Sequence, residues 1–311
     1  MQSTELHAVT GAFGFSGKYI AQRLLDRGHR VITLTNSPDR ENAFNGKVKA
    51  FPFDFENIKA LTNALKDVDV LYNTYWVRFN HKTFTHSVAV TNTLNLFKAA
   101  EAAGVKRIVH ISITNPDINS PLEYFKDKAL LEKALMDSGI SWSILRPAVI
   151  FGDEDILVNN IAWFLRNLPV FGIPGDGSYG IQPVFVEDLA DMAVDAGAAN
   201  ENTVVNAVGP EKYTYREFVK TIGAIIGHNK KTVSMPPFII YLTGLIAGFL
   251  KKDIIITKEE LKGLMAGTLA VDTEPTGKTL ISEWAKINAE TLGKNYASEL
   301  GRRKDRKKAY I

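Results

Sequence analysis

The chain has no cysteine. That excludes a disulfide framework, thiolate metal sites and a cysteine nucleophile together, and it suits the cytoplasmic location we expect. No apolar run reaches the roughly 20 residues that cross a bilayer. The most apolar stretch, Pro236 to Leu250, is closed by Lys251 and Lys252. We read it as a buried or groove-lining helix, with an interfacial helix as the alternative. Met1 leads within a few polar residues into a strand pattern, so no signal peptide is expected. Histidine is scarce, six in all. His81 and His86 are five apart and do not share a helix face, so no metal is expected. No internal repeat or low-complexity linker stands out, and no segment has the pattern of a nucleic-acid module.

Charge is nearly balanced, at net +3. Its distribution is less even. Residues 302–308 carry six positive charges and one negative, which leaves the remainder slightly acidic. A solvated, frayed terminus is the expected state of this tail. Together with 236–250 it is also a place where a protein partner or a membrane surface would meet the chain.

With 311 residues, 45% of them hydrophobic, the chain has one large core or a core plus a lobe. Its first half alternates β-branched runs with helical periods. Strands are expected at Leu6–Thr10, Arg30–Thr35, Val48–Asp54, Val68–Thr74, Arg107–Thr114 and Ser141–Pro147. Helices are expected at Gly17–Arg27, Ile58–Leu65, Phe84–Ala103 and Pro121–Ser138. In the first helix Ile20, Ala21, Leu24 and Leu25 form an apolar stripe that Gly28 ends.

Such alternation predicts an α/β fold, a Rossmann-type doubly wound parallel sheet covered on both faces. We divide it into a nucleotide-binding domain, 1–150, and a smaller mixed lobe, 151–311, that packs on it and interleaves with the sheet. In the lobe a helix is expected at Ile156–Asn167, a Gly/Pro-rich loop from Gly172 to Gly180, and a strand at Gln182–Val186. A helix capped by Asp188, a strand at Asn202–Val208 and a helix at Tyr215–Ile226 follow.

The sharpest local pattern is Thr10-Gly11-Ala12-Phe13-Gly14-Phe15-Ser16-Gly17, directly after a strand and opening a helix. One glycine permits the turn, the next lets backbone N–H groups approach a pyrophosphate, and the third lets helix and strand pack closely. A second pattern is the pair Tyr124 and Lys128, which falls on one helix face twelve residues after Ser112 at a strand end.

The spacing of the glycines after a threonine resembles the extended and atypical short-chain dehydrogenase/reductases. Asp54-Phe55, Ser112, Tyr124 with Lys128, Leu145-Arg146-Pro147, Gly175-Asp176-Gly177 and Val186-Glu187-Asp188 continue the match over roughly 200 residues. The segment from Tyr124 to Glu132, the run from Phe151 to Asp155 and the stretch Gly175–Asp188 are similar to one branch in particular. It includes the nucleotide-binding accessory subunit of mitochondrial complex I and bacterial epimerase/dehydratase-like proteins.

The resemblance implies an NADP or NAD cofactor held by Thr10, Gly11, Phe13, Gly14, Phe15, Gly17, Thr35, Asn36, Arg40, Asp54, Phe55, Asn73, Thr74, Lys128 and Pro147. NAD-preferring relatives place a carboxylate at the end of the second strand. Here Thr35 and Asn36 stand there with Arg40 behind them, which favours NADP unless Arg40 is a surface residue. Lys128 would hold the nicotinamide ribose and lower the Tyr124 pKa. Tyr124 would move a proton to or from a carbonyl or secondary alcohol, and Ser112 would polarise that oxygen.

Tyr75, Trp76 and Arg78 would wall a small-molecule pocket, with core packing as the other reading of the two aromatics. Nucleotide-sugar members carry an arginine where Ile181 stands, so a nucleotide sugar is not expected. The expected function is therefore an NAD(P)-dependent oxidoreductase. The alternatives are a non-catalytic NAD(P)H-binding subunit or redox sensor, and an epimerase or dehydratase acting on something other than a nucleotide sugar.

Overall fold

Apolar residues fill both faces of the first strands, and the computed structural model, which describes residues 4–82 and 84–309, stacks them side by side. In chain order these are β1 (Leu6–Thr10), α1 (Phe15–Asp26), β2 (Arg30–Thr35), β3 (Val48–Pro52), α2 (Ile58–Ala64), β4 (Val70–Asn73), α3 (His86–Ala103), β5 (Arg107–Ile111), α4 (Glu123–Met136) and β6 (Ser141–Pro147). Then follow β7 (Ile150–Phe151), α5 (Leu157–Asn167), β8 (Val170–Pro174), β9 (Gly180–Ile181), β10 (Val184–Phe185), α6 (Val186–Ala198) and β11 (Thr203–Ala207). The chain ends with β12 (Tyr213–Thr214), α7 (Tyr215–Ile225), β13 (Lys231–Met235), α8 (Pro237–Lys251), α9 (Lys258–Met265), α10 (Ile281–Ile287) and α11 (Glu299–Lys304).

The chain divides into two units. The first comprises Met1–Pro147, Val186–Val205 and Arg306–Ile311; the second comprises Ala148–Phe185 and Asn206–Asp305. In the first, the sheet order is β11-β6-β5-β4-β1-β2-β3, and the pairs from β3 through β6 are parallel. The order reverses between β1 and β4, which opens a crevice at the carboxyl ends of the strands, where ligands of such sheets bind. Ile20, Ala21 and Leu24 of α1 are buried, and α3 is stopped by Gly104 at φ 77°.

Arg107 binds the β5–β6 edge to the end of α6. Its guanidinium is buried and donates to Ser143 Oγ (2.6 Å), Ala196 O (2.8 Å), Glu201 O (2.6 Å) and the Ser141 hydroxyl. The second unit has its own core, built on Phe151, Ile161, Ile173, Phe218, Ile222 and Trp284.

Several sequence expectations need correction. Helix α6 begins at Val186, so Asp188 lies inside its first turn and does not cap it. The stretch expected as one strand, Gln182–Val186, is reduced to β10, with β9 before it. Within the expected Gly172–Gly180 loop, residues up to Pro174 belong to β8, which pairs in parallel with β13. The basic tail is also more ordered than a frayed terminus. Ser298 caps α11, and Glu41 N–H donates to Lys307 O at 2.7 Å.

Candidate functional site

The residues expected to serve catalysis, the cofactor or a substrate, from Thr10 to Pro147, all lie in the first unit. The glycine loop folds back on itself. Gly11 has φ +67°, a conformation that side chains disfavour. Its N–H donates to Leu34 O (2.9 Å), Ala12 N–H to Thr33 Oγ1 (2.9 Å), and Gly14 N–H to Gly11 O (2.8 Å). A Cβ at Gly17 would lie 2.4 Å from Gly11 O, so only glycine lets α1 approach the loop. A Cβ at Gly14 would meet only that same oxygen, at 3.2 Å. The first-turn N–H groups of α1 thus stand behind a short, side-chain-poor loop, the arrangement that receives a phosphate.

Thr10 ties β1 to the end of β4. Its hydroxyl accepts from Thr74 N–H (2.8 Å) and Tyr75 N–H (3.1 Å), and its carbonyl accepts from Thr74 Oγ1 (2.6 Å). Asn73 continues the chain of bonds, with Nδ2 3.0 Å from Nδ1 of its β5 register partner His110. An amide donor at that distance needs a neutral, accepting ring nitrogen. Burial pushes His110 well below the usual imidazole range, and the charge of Lys128 adds to the effect.

Farther out, Thr35 Oγ1 accepts from Ser37 N–H (3.0 Å), and Asn36 is exposed. Arg40 is only 8% exposed, which overturns its reading as a surface residue. Arg306, which sequence reasoning missed, places Nη1 3.3 Å from Asn36 O. The expected adenine-side pair divides. Asp54 is exposed and follows β3, which stops at Pro52, whereas Phe55 is buried against Phe53 (ring centroids 3.9 Å apart) and Tyr75 (4.8 Å). Phe13 is also buried, against Phe44, and Phe15 packs edge-on to Tyr19. Pro147 closes β6, and its carbonyl accepts from Thr114 N–H (3.0 Å).

Ser112 follows β5 directly. Its hydroxyl is buried and has no hydrogen-bond partner. Lys128 is 2% exposed and donates from Nζ to Ile111 O at 2.8 Å, one residue from Ser112. Burial lowers its pKa to about 7, with Glu132 opposing. The indole of Trp76 lies over this ammonium, 4.5 Å from Nζ to the ring centroid. Trp76 stacks on His86 (5.7 Å), and both rings meet Tyr124 edge to face at 5.8 and 5.6 Å.

Ser112, Tyr124, Lys128 and Trp76 are therefore gathered at one end of β5, with His86 an addition that sequence spacing did not signal. Tyr75 instead packs with Phe53 and Phe55, and Arg78 lies over the Phe79 ring. A depression of about 550 Å³ at the first turns of α3 and α4 is lined by Asn80, Thr85, Glu123 and Lys126 among others; neither Ser112, Tyr124 nor Lys128 lines it.

Two histidines that lie far apart in sequence come together in the first unit. Pairing of β1 with β2 brings His7 close to His29, and the ligand-type atoms of Glu5, His7 and His29 lie within 4.8 Å of one another. This is the amino end of β1, away from the glycine loop.

Residues 11–161 match a family described as NAD(P)H-binding. The chain carries an NAD(P)-binding Rossmann domain. Among curated proteins, it is 28% identical over 267 residues to the mitochondrial NADH-ubiquinone oxidoreductase 40 kDa subunit of Neurospora crassa, covering 82% of this chain and 69% of that one. It is 26% identical over 241 residues to NADH dehydrogenase [ubiquinone] 1 alpha subcomplex subunit 9, mitochondrial, of Arabidopsis thaliana. There the match covers 73% of this chain and 60% of the relative.

Solved structures agree on the fold. An Escherichia coli NADPH-dependent quinone oxidoreductase complexed with NADPH superposes with TM-score 0.72 at 23% identity, over 90% of this chain and 99% of that one. A Thermotoga maritima UDP-glucose 4-epimerase gives 0.67 at 18%, over 92% and 97%. The NAD(P)H-binding family match and the curated relatives accord with the resemblance to the branch of the complex I subunit, while the solved structures show the Rossmann fold.

Proposed function

We propose that this chain is an NAD(P)H-binding subunit or sensor whose hydride-transfer residues are held closed, and that it acts with a protein partner. One observation carries this reading: Lys128 is bonded to Ile111 O beneath the Trp76 indole, while Tyr124 packs edge-on against Trp76 and His86. An ammonium that spends one donor on that carbonyl and lies 2% exposed beneath an indole is screened from a ribose until the ring moves. The curated relatives, subunits of mitochondrial NADH dehydrogenases, support the same reading.

An oxidoreductase with Tyr124 as acid–base group is the second reading. The buried, unpartnered Ser112 hydroxyl favours it, because such an atom is ready for a substrate oxygen. For the cofactor itself we propose a preference for NADP. No carboxylate ends β2, and Arg40 and Arg306 stand beside it.

The deciding experiment follows NADPH oxidation with a panel of carbonyl and quinone acceptors. The binding reading expects tight NADPH binding with negligible turnover in the wild type. Opening the dyad by Trp76→Ala should then allow slow turnover that disappears when Tyr124→Phe is added. Robust wild-type turnover that falls by about 10²–10⁴-fold in Tyr124→Phe would instead establish the oxidoreductase.

A further inference from the structure

Burial and hydrophobicity disagree at helix α8 of the second unit. It is apolar from Pro237 to Leu250, yet Gly248 is its one buried residue. Phe238 (69% exposed), Leu242, Leu245, Ile246, Phe249 (84%) and Leu250 (74%) all face solvent. At 100° per residue their positions form a single ridge along the helix. The opposite face is committed to the protein. A Cβ at Gly244 would lie 3.0 Å from Ile256, and one at Gly248 would lie 2.6 Å from Asp253 O. Ile240 packs against Gly172 of β8. The ridge is therefore not a core face awaiting a different rotation of the helix.

The surroundings of the ridge indicate what covers it. Lys251 and Lys252 close the helix and are exposed. Lys251 Nζ lies 4.3 Å from the ring centroid of Trp163 and 5.5 Å from that of Tyr296, and Lys258 Nζ lies 5.1 Å from that of Tyr241. Trp163, Tyr241 and Tyr296 are half-buried. Tryptophan, tyrosine and lysine beside an apolar ridge are the side chains of the lipid–water boundary, where rings sit at headgroup level and ammonium groups meet lipid phosphates.

Two of the acids nearby, Asp253 and Glu260, are engaged elsewhere. Asp253 accepts from Tyr296 Oη (2.8 Å) and from the N–H groups of Glu299 and Leu300, while Glu260 accepts from Thr257 N–H (2.8 Å). Fifteen residues give a helix of about 22 Å, too short for a hydrocarbon core of about 30 Å, and no helix among the described residues is long and apolar enough to cross a membrane. A helix of this kind lies in the surface plane.

We infer that α8 is a docking helix for an anionic lipid surface: its Phe238–Leu250 ridge enters the acyl boundary while Lys251, Lys252 and Lys258 meet lipid phosphates. The test is co-sedimentation of the full chain with vesicles of phosphatidylcholine mixed with phosphatidylglycerol, and with vesicles of phosphatidylcholine alone. The wild type should pellet with the mixed vesicles and much less with the neutral ones. Leu245→Asp and Phe249→Asp should each weaken pelleting by at least about tenfold. Lys251→Gln combined with Lys252→Asn should cost about fivefold per charge on the mixed vesicles only.

Because all four positions are exposed, melting temperature and NADPH affinity should stay unchanged, which separates this surface from the nucleotide site. No pelleting with mixed vesicles, or equal pelleting of wild type and Phe249→Asp, would overturn the inference. So would a concentration-dependent dimer that the aspartate variants dissolve and vesicles leave intact, since that would assign the ridge to a second copy of the chain.

Discussion

The sequence pattern gives Gly14 and Gly17 different parts, and their surroundings differ to match. At Gly17 an added Cβ would lie 2.4 Å from Gly11 O and 2.8 Å from Gly11 C, both backbone atoms that cannot step aside. Gly17→Ala should therefore destabilise the fold by about 1–3 kcal/mol, as overpacking does, and loosen cofactor binding as a consequence. Gly14 has an extended backbone, φ −102° and ψ −170°, which any residue adopts, and its only close neighbour lies at 3.2 Å. Gly14→Val should then keep a near-wild-type melting temperature and lose NADPH binding, because its methyl groups would occupy the space of the pyrophosphate. Calorimetry beside thermal melting distinguishes the two. A Gly14→Val protein that folds and binds NADPH unchanged would remove the loop from the cofactor site.

Among the elements, those that bury both faces were legible. β1, β2 and β6 have the bounds expected from sequence, because runs rich in β-branched and apolar residues, with the few polar side chains mostly buried, mark strands covered on both faces. The second unit was less readable. β7, β9, β10 and β12 have two residues each, too few to display a period of two. β8 hides in a Gly/Pro-rich stretch because Gly172 is needed for the approach of Ile240, a tertiary fact. The site divides in the same way. The glycine loop and the Ser112/Tyr124/Lys128 set are local patterns, whereas His110 reaches Asn73 through strand register, and Arg306 reaches Asn36 across 270 residues.

That last contact brings the basic tail to the end of β2 and yields a prediction on cofactor choice. Arg40→Ala should weaken NADPH by about 1.5–3 kcal/mol. Arg306→Ala, an exposed change, should weaken it by at most about 1 kcal/mol. NADH affinity should hold in both. Equal losses for the two cofactors would show that these arginines act on folding and not on a 2′-phosphate.

Across the whole molecule, the buried cationic groups make stability depend on pH in one direction. His7 is 2% exposed; burial lowers its pKa from 6.5 to about 4, His29 repels its charge further, and Asp69 opposes. Between these values the unfolded chain holds a proton that the folded chain does not. Stability therefore falls as pH drops from about 6.5 to about 4, by an amount of order 3 kcal/mol from this group alone. His110, held well below its usual range, acts in the same direction. Lys128 extends the trend upward. Its folded pKa of about 7 lies below the ordinary 10.5, so the penalty of burying its charge is complete below pH 7 and fades as pH rises through that window. Asp155 opposes the histidines in acid, because burial raises its pKa from 3.8 to about 6 and its penalty grows as pH rises through that window. The cofactor-free protein should therefore gain stability from about pH 6 to beyond pH 9, and urea unfolding from pH 4 upward measures both arms. Lys128→Met should flatten the alkaline part of the curve and leave the acidic part alone, while His7→Gln should do the reverse. If the stability curve of either variant runs parallel to that of the wild type throughout, the group it removes is not buried in the way described.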